Sequence, residues 1–220
     1  MKRPNLLESP RVKAYLRTRV LVTAPATEPR VALTFDDGPS PGNTPRLLDL
    51  LRSKGVRATF FLIGKHARRH PGLVERIAGE GHEIGNHTEH HLFLPALPTS
   101  WLRREIESTG AFLQKTTGAR PRYVRPPMGW FTDRVLRVFR ELEYEPVIGS
   151  INPQDYRRLP AERIARFVED RIEPGAIVIL HDGGRSPRTD RTSTLEAVAR
   201  LAETLPARGY AFSTLSGLAS

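Results

Sequence analysis

Apolar residues fall in short blocks along this chain, and the blocks alternate between two spacings. V-A-L-T-F (31–35), R-A-T-F-F-L-I (57–63) and A-I-V-I-L (176–180) are nearly unbroken apolar runs. Their length suits strands, and A-I-V-I-L is of the type covered on both faces. Between them, Leu47, Leu48, Leu50 and Leu51 predict an amphipathic helix over 44–54, closed by Gly55. A helix over 72–79 turns Val74, Ile77 and Ala78 inward, and a longer one starts at Thr99 or Ser100 and runs through Gln114. Further helices are expected over 132–142, over 161–172 (Ile164, Phe167, Val168 and Ile172 on one stripe) and over 194–205. H-E-I-G-N (82–86), Y-V-R-P-P (123–127), P-V-I-G-S (146–150) and Y-A-F-S-T-L (210–215) complete the expected strands.

Strand–helix alternation with short breaks argues for an α/β domain with a parallel sheet, either doubly wound or closed into a barrel. In both, chemistry collects at the carboxyl ends of the strands. The first thirty residues read differently. Leu6, Leu7, Val12, Tyr15, Leu16 and Val20 could line one helix face, and A-P-A-T-E-P (24–29) reads as a linker. The expected plan is a peripheral extension over 1–30 and a single catalytic domain over 31–220.

Composition narrows this picture. A chain of 220 residues with 39% hydrophobic content can bury one sizeable core. No run approaches the roughly 18 apolar residues of a membrane span. Met1, Lys2 and Arg3 are followed by no apolar segment of a secretory signal. The chain as written reads as cytoplasmic, or as secreted or cell-envelope if a leader has been trimmed. With no cysteine, any metal must be held by His, Asp or Glu. The net charge of +10 attracts anionic partners, with a lean toward an anionic wall polymer. Its arginines are nonetheless scattered over predicted helices (Arg68, Arg76, Arg103, Arg137, Arg166) without interleaved aromatics, which reads as a solvated surface and not a nucleic-acid interface. A monomer is expected.

Four polar clusters follow predicted strands directly: Asp36–Asp37, His87–His91, Arg125 and His181–Asp182. Parallel strands would bring all four to one rim. His87 and His91 stand four apart, a spacing suited to one ion, although His90 leaves an i,i+3 pairing open. A carboxylate from another strand end would complete a His₂–carboxylate set with open positions. One aspartate of the adjacent pair could then bind metal while its neighbour, turned elsewhere by Gly38–Pro39, acts on a water held there. D-D-G-P read alone serves equally well as a turn.

Together, T-F-D-D-G-P (34–39), N-H-T-x-x-H (86–91), R-P-P-x-G (125–129) and I-L-H-D (179–182) resemble, in this order, the motifs of the polysaccharide deacetylases. These are the NodB-homology enzymes of carbohydrate esterase family 4, and the resemblance covers about 31–215. It implies a distorted (β/α)7-type barrel and a divalent metal, most often Zn²⁺, with Co²⁺ or Ni²⁺ as alternatives. It implies Asp37, His87 and His91 as metal ligands, Asp36 as general base and His181 as general acid. Arg125 would orient Asp36. The Met128 N–H would help stabilise the oxyanion. Pro127, Trp130, Leu180 and Tyr156 would line the site, although Leu180, in an apolar run, reads better as core. The implied substrate is an acetylated glycan, chitin-like or peptidoglycan, N-deacetylated. O-acetyl esterase action on xylan is the alternative, followed by a non-catalytic glycan binder.

The chain departs from the family pattern in the fourth motif, where D-x-x-D-W is replaced by N-P-Q-D-Y (152–156). Asn152 stands where a carboxylate would support Arg125, so either Asp155 takes over or the Arg125–Asp36 coupling is weaker. Tyr156 keeps an aromatic wall, and Met128 replaces a frequent Tyr. Asp182 is expected to orient His181. His82 reads as structural, and His66 and His70 as solvated.

Overall fold

The computed structural model describes residues 19–25, 28–184, 186 and 188–218. Leu6, Leu7, Val12, Tyr15 and Leu16, the expected N-terminal helix face, lie outside them, as do two residues of the expected linker. The elements in chain order are β1 (Arg30–Gly38), α1 (Thr44–Ser53), β2 (Thr59–Leu62), α2 (Gly64–Arg69), α3 (Pro71–Gly79), β3 (Glu83–Asn86), α4 (Thr99–Thr117) and β4 (Tyr123–Val124). There follow α5 (Asp133–Glu141), β5 (Glu145–Pro146), α6 (Ala161–Glu169), β6 (Ile177–His181), α7 (Thr192–Ala207), β7 (Ala211–Phe212) and α8 (Leu215–Leu218).

All strand pairs are parallel, in the order β5-β4-β3-β2-β1-β6, with β7 beside the start of β1. Between β5 and β6 the described residues carry no continuous ladder. Ile151 bridges to Val178 there, while Leu21 bridges to Val147 and Thr23 to Ala176. Val20 is buried beside Val124, Phe139 and Ile148.

Strand alternation sorts the core into two layers. Leu33 and Phe35 of β1, Phe60 and Leu62 of β2, and Val178 and Leu180 of β6 face the helices. There they meet Leu47, Leu48 and Leu51 of α1, Ile164 and Val168 of α6, and Leu201 and Leu205 of α7. Residues one position away point to the other face: Ala32, Phe61 and Ile177 pack with Tyr123, Val147, Leu215 and Leu218. The polar rim stands above this second layer.

The helices follow their sequence signals, with instructive exceptions. α4 outruns its expected end at Gln114 because the stop is Gly118, whose φ of 76° closes the helix with an N–H bond to the Gln114 carbonyl. The expected last strand ends after Phe212. Thr59 Oγ1 accepts the Leu215 N–H and Glu83 accepts the Ser216 N–H, which favours a turn of helix. α2 was not anticipated, since G-K-H-A-R-R has no apolar period.

Candidate active site

The rim begins with the last residues of β1. Thr34 and Asp36 lie on the face opposite Leu33 and Phe35, as alternation requires. By the same rule Asp37 would point away. It does not, because its φ is 71° and the β1–β2 register slips between Asp36 and Gly38. A left-handed residue and a slipped register re-aim a side chain. Glycine is required beside it, since a Cβ on Gly38 would meet the Asp182 carboxylate oxygens at 2.4 Å. One on Gly183 would lie 2.0 Å from the Asp37 carbonyl oxygen.

Asp37 Oδ1 is buried with no hydrogen-bond partner. It faces Nε2 of His87 at 3.5 Å and Nε2 of His91 at 3.3 Å. Nδ1 of His87 lies 2.7 Å from the Arg125 carbonyl oxygen, which can only accept, so Nδ1 carries a proton and Nε2 is the nitrogen turned to Asp37. Burial and the neighbouring His87 depress His91 to about 4, keeping it neutral near pH 7. Burial would raise the Asp37 carboxyl, but the His87 contact and the surrounding imidazoles outweigh it and hold it well below the usual carboxylate range. An orphaned anionic oxygen and two imidazole nitrogens, all within 4.8 Å of one another, are a donor set that fits a divalent cation. His90 turns the other way, its ring Nδ1 2.7 Å from Glu105 Oε1, which leaves the i,i+4 pair.

Asp36 is buried and accepts from Nη1 of Arg125 at 2.6 Å. The same nitrogen donates to Thr34 Oγ1 at 2.8 Å, and the guanidinium lies 4.0 Å over the Phe61 ring. Burial pulls the Arg125 guanidinium below its ordinary value, opposed by Asp36. Nε and Nη2 of Arg125 find no hydrogen-bond partner among the described residues. Asn152 is spent on a local turn, its Oδ1 accepting from the Gln154 N–H at 2.9 Å.

Asp155 does not support Arg125. It lies at the opposite end of the site, Oδ1 2.7 Å from Nδ1 of His181 and Oδ2 accepting the His181 N–H at 2.9 Å. Burial alone would lower His181, but Asp155 first, then Asp36 and Asp37, push it up to about 9. This is the orienting role expected of Asp182. The Asp182 carboxylate instead accepts from the Thr44 hydroxyl, because the strand pleat turns it away from its neighbour. Burial lifts Asp182 to about 7 despite Thr44, with Asp37 adding to the rise.

Of the expected lining residues, Met128, Trp130 and Tyr156 are exposed at the rim and Pro127 is buried. Trp130 stands edge-on to Phe93, and Tyr156 edge-on to the His181 ring at 5.4 Å. Leu180 is fully buried against the helices and is core, one pleat away from His181. His82 is structural as expected, accepting the Ala58 N–H. His66, read as solvated, is half-buried, and its Nδ1–H donates to the Asp37 carbonyl at 2.9 Å. Its place just past β2 was the available signal. Thr34 could have been found from its position two residues before Asp36 on the same face.

Residues 23–147 match the family model described as polysaccharide deacetylase. The chain belongs to the polysaccharide deacetylase family. A peptidoglycan-N-acetylglucosamine deacetylase of Bacillus cereus is 40% identical over 196 residues, covering 88% of this chain and 90% of that protein. A chitooligosaccharide deacetylase of Sinorhizobium fredii is 35% identical over 208 residues, covering 91% and 96%. The crystal structure of a peptidoglycan N-acetylglucosamine deacetylase with a bound N-oxidanyl-benzamide superposes with a TM-score of 0.85 at 32% identity, covering 90% of this chain and 91% of that one. The protein is thus a metal-dependent polysaccharide deacetylase with a candidate Asp–His–His metal site. No helix among its described residues is long and apolar enough to cross a membrane.

Proposed function

We propose that this deacetylase removes N-acetyl groups from N-acetylhexosamine units of a peptidoglycan-like or chitin-like glycan, acting as a monomer. Asp37, His87 and His91 would hold the ion, and this mixed imidazole–carboxylate set favours Zn²⁺, with Co²⁺ or Ni²⁺ able to substitute. When bound, the ion supplies Lewis acidity, lowering the pKa of a water and drawing charge from the amide oxygen. Asp36 takes the proton of the attacking water, its carboxylate fixed by Arg125. The water oxygen bonds to the carbonyl carbon, with the Met128 N–H offered to the oxyanion. The C–N bond then breaks, His181 gives its proton to the departing nitrogen, and acetate and a free amine result. Trp130 and Tyr156 offer aromatic faces to the sugar.

The observation that carries this reading is the pairing of Asp36 with His181. They are register partners on β1 and β6, and each has its own partner of opposite charge. A base and an acid thus flank one point from two strands. His181, held protonated to about 9, is suited to an amine leaving group, which needs its proton more than an alkoxide does. The test is acetate release from chitin oligomers, peptidoglycan and acetylxylan with Zn²⁺, Co²⁺ or Ni²⁺ added. Release from an N-acetylated glycan that vanishes in Asp36→Asn supports the reading. Release from acetylxylan alone would transfer it to an O-acetyl esterase.

A further inference from the structure

The segment carrying both candidate metal histidines is neither helix nor strand. Within it, Thr88 and His91 adopt left-handed conformations, with φ of 65° and 57°. Non-glycine residues hold such backbone only where the surroundings over-determine it. Between the two histidines sits Glu89, an acid buried to 8% exposure. Its carboxylate accepts from Nε of Arg68 at 3.0 Å, from the Ser108 hydroxyl at 3.1 Å and from the Thr109 hydroxyl at 3.0 Å.

Those donors belong to two helices. Arg68 lies on α2 and is itself braced, donating to the Ser108 carbonyl at 2.8 Å and lying 4.7 Å over the Phe112 ring. Ser108 and Thr109 lie on α4, three and four residues after Glu105, so all three share one face of that helix. Glu105 grips the same loop, accepting the His90 N–H at 2.8 Å. At the start of α2, the Gly64 and Lys65 N–H groups donate to the Thr88 and Glu89 carbonyls at 2.9 and 3.0 Å. The fit at Gly64 leaves no room for a side chain, since a Cβ there would lie 2.3 Å from Glu89 Oε2 and 2.2 Å from Thr109 Oγ1.

We propose that Glu89, gripped by Arg68, Ser108 and Thr109, is a positioning residue that presets the His87–His91 loop to receive a divalent ion. A peripheral ion pair would be indifferent to the loop. This one is built from a residue inside it, and its bonds fix the turn that brings both Nε2 atoms toward Asp37. Without Glu89 the loop would relax, and the ion would have to reorder it on binding. Removal of the partners that orient metal ligands weakens binding about 10–100-fold. The inference rests on the proposed Asp37–His87–His91 metal site.

The experiment measures the Zn²⁺ dissociation constant of the full chain by competition with a chromophoric chelator, alongside turnover as a function of Zn²⁺. Wild type, Glu89→Ala, Glu89→Gln, Arg68→Ala and Asp37→Ala are compared, with melting temperatures of the metal-free proteins. Glu89→Ala is expected to bind Zn²⁺ about tenfold or more weakly, and excess Zn²⁺ to restore much of its turnover. Glu89→Gln, which keeps the acceptors for Ser108 and Thr109, should recover part of the loss. Arg68→Ala, at a half-exposed position, should show a smaller loss without a matching drop in metal-free melting temperature. Wild-type Zn²⁺ affinity in Glu89→Ala overturns the proposal. If that variant does not fold, wild-type affinity in folded Arg68→Ala overturns it. A wild type that binds no Zn²⁺, indistinguishable from Asp37→Ala, would instead overturn the metal site itself.

Discussion

The two strands that carry Asp36 and His181 end in opposite ways. β6 keeps its pleat to the last residue, so Leu180 faces the helices and His181, next to it, faces the rim. β1 abandons its pleat at the same level: the register slips after Asp36, and Asp37 turns left-handed toward His87 and His91. Regular alternation separates a core residue from a chemical one at no backbone cost. Bringing two adjacent acids to one rim requires breaking it, at a strain on the order of 1–3 kcal/mol for a left-handed non-glycine residue. The break gives the two aspartates different partners, an arginine for Asp36 and two imidazoles for Asp37.

That division is tested hardest by neutralising each acid separately. Asp36→Asn removes the proposed proton acceptor and leaves Asp37, His87 and His91 in place. Turnover should fall by roughly 10²–10⁴-fold with Zn²⁺ content unchanged, read by acetate release and metal analysis. Asp37→Asn should lose bound Zn²⁺ itself. If both variants retained full metal and lost equal activity, the assignment of separate roles would fail.

The β6 side of the comparison predicts a similar split between neighbours. His181→Ala should lower amide turnover by roughly 10²–10⁴-fold, and hydrolysis of an activated acetyl ester much less, because a good leaving group needs no acid. Leu180→Ala should cost about 2–5 kcal/mol of unfolding free energy by opening a cavity under the helices. The folded fraction of that variant should keep its turnover. A Leu180→Ala enzyme of native stability but altered substrate preference would place this side chain in the site after all.

How much of this could be read from residues alone follows the same line. Where alternation holds, the pattern was sufficient: V-A-L-T-F and A-I-V-I-L are strands as expected, and the polar clusters after them lie at the strand ends. His87 and His91 come within reach of Asp37 although their segment is not helical, with Thr88 and His91 in left-handed conformations. Contacts between residues far apart in sequence were legible only where the family motifs implied them, as for Arg125 and Asp36. Asp182 adjoins His181 and looked like its partner, whereas Asp155 reaches it from 26 positions away on a separate turn. His66 and Glu89 carried no motif, and their contacts, to the Asp37 carbonyl and to the Thr109 hydroxyl, come from where α2 and α4 lie in the fold.

The Asp155–His181 pair offers the smallest and most diagnostic change. In the proposed mechanism His181 serves as acid only while protonated, so activity should decline as pH rises through about 9. Asp155 is the chief group holding it there, against burial, which favours the neutral ring. Replacing Asp155 with Asn keeps an acceptor near Nδ1 and removes the charge. The proton then leaves at lower pH, and the basic limb of the kcat profile should move down by roughly 1–3 units. The acidic limb should stay where it was. A shift of the acidic limb instead would mean that Asp155 acts on the base, and the two strand ends would no longer be independent halves of the site.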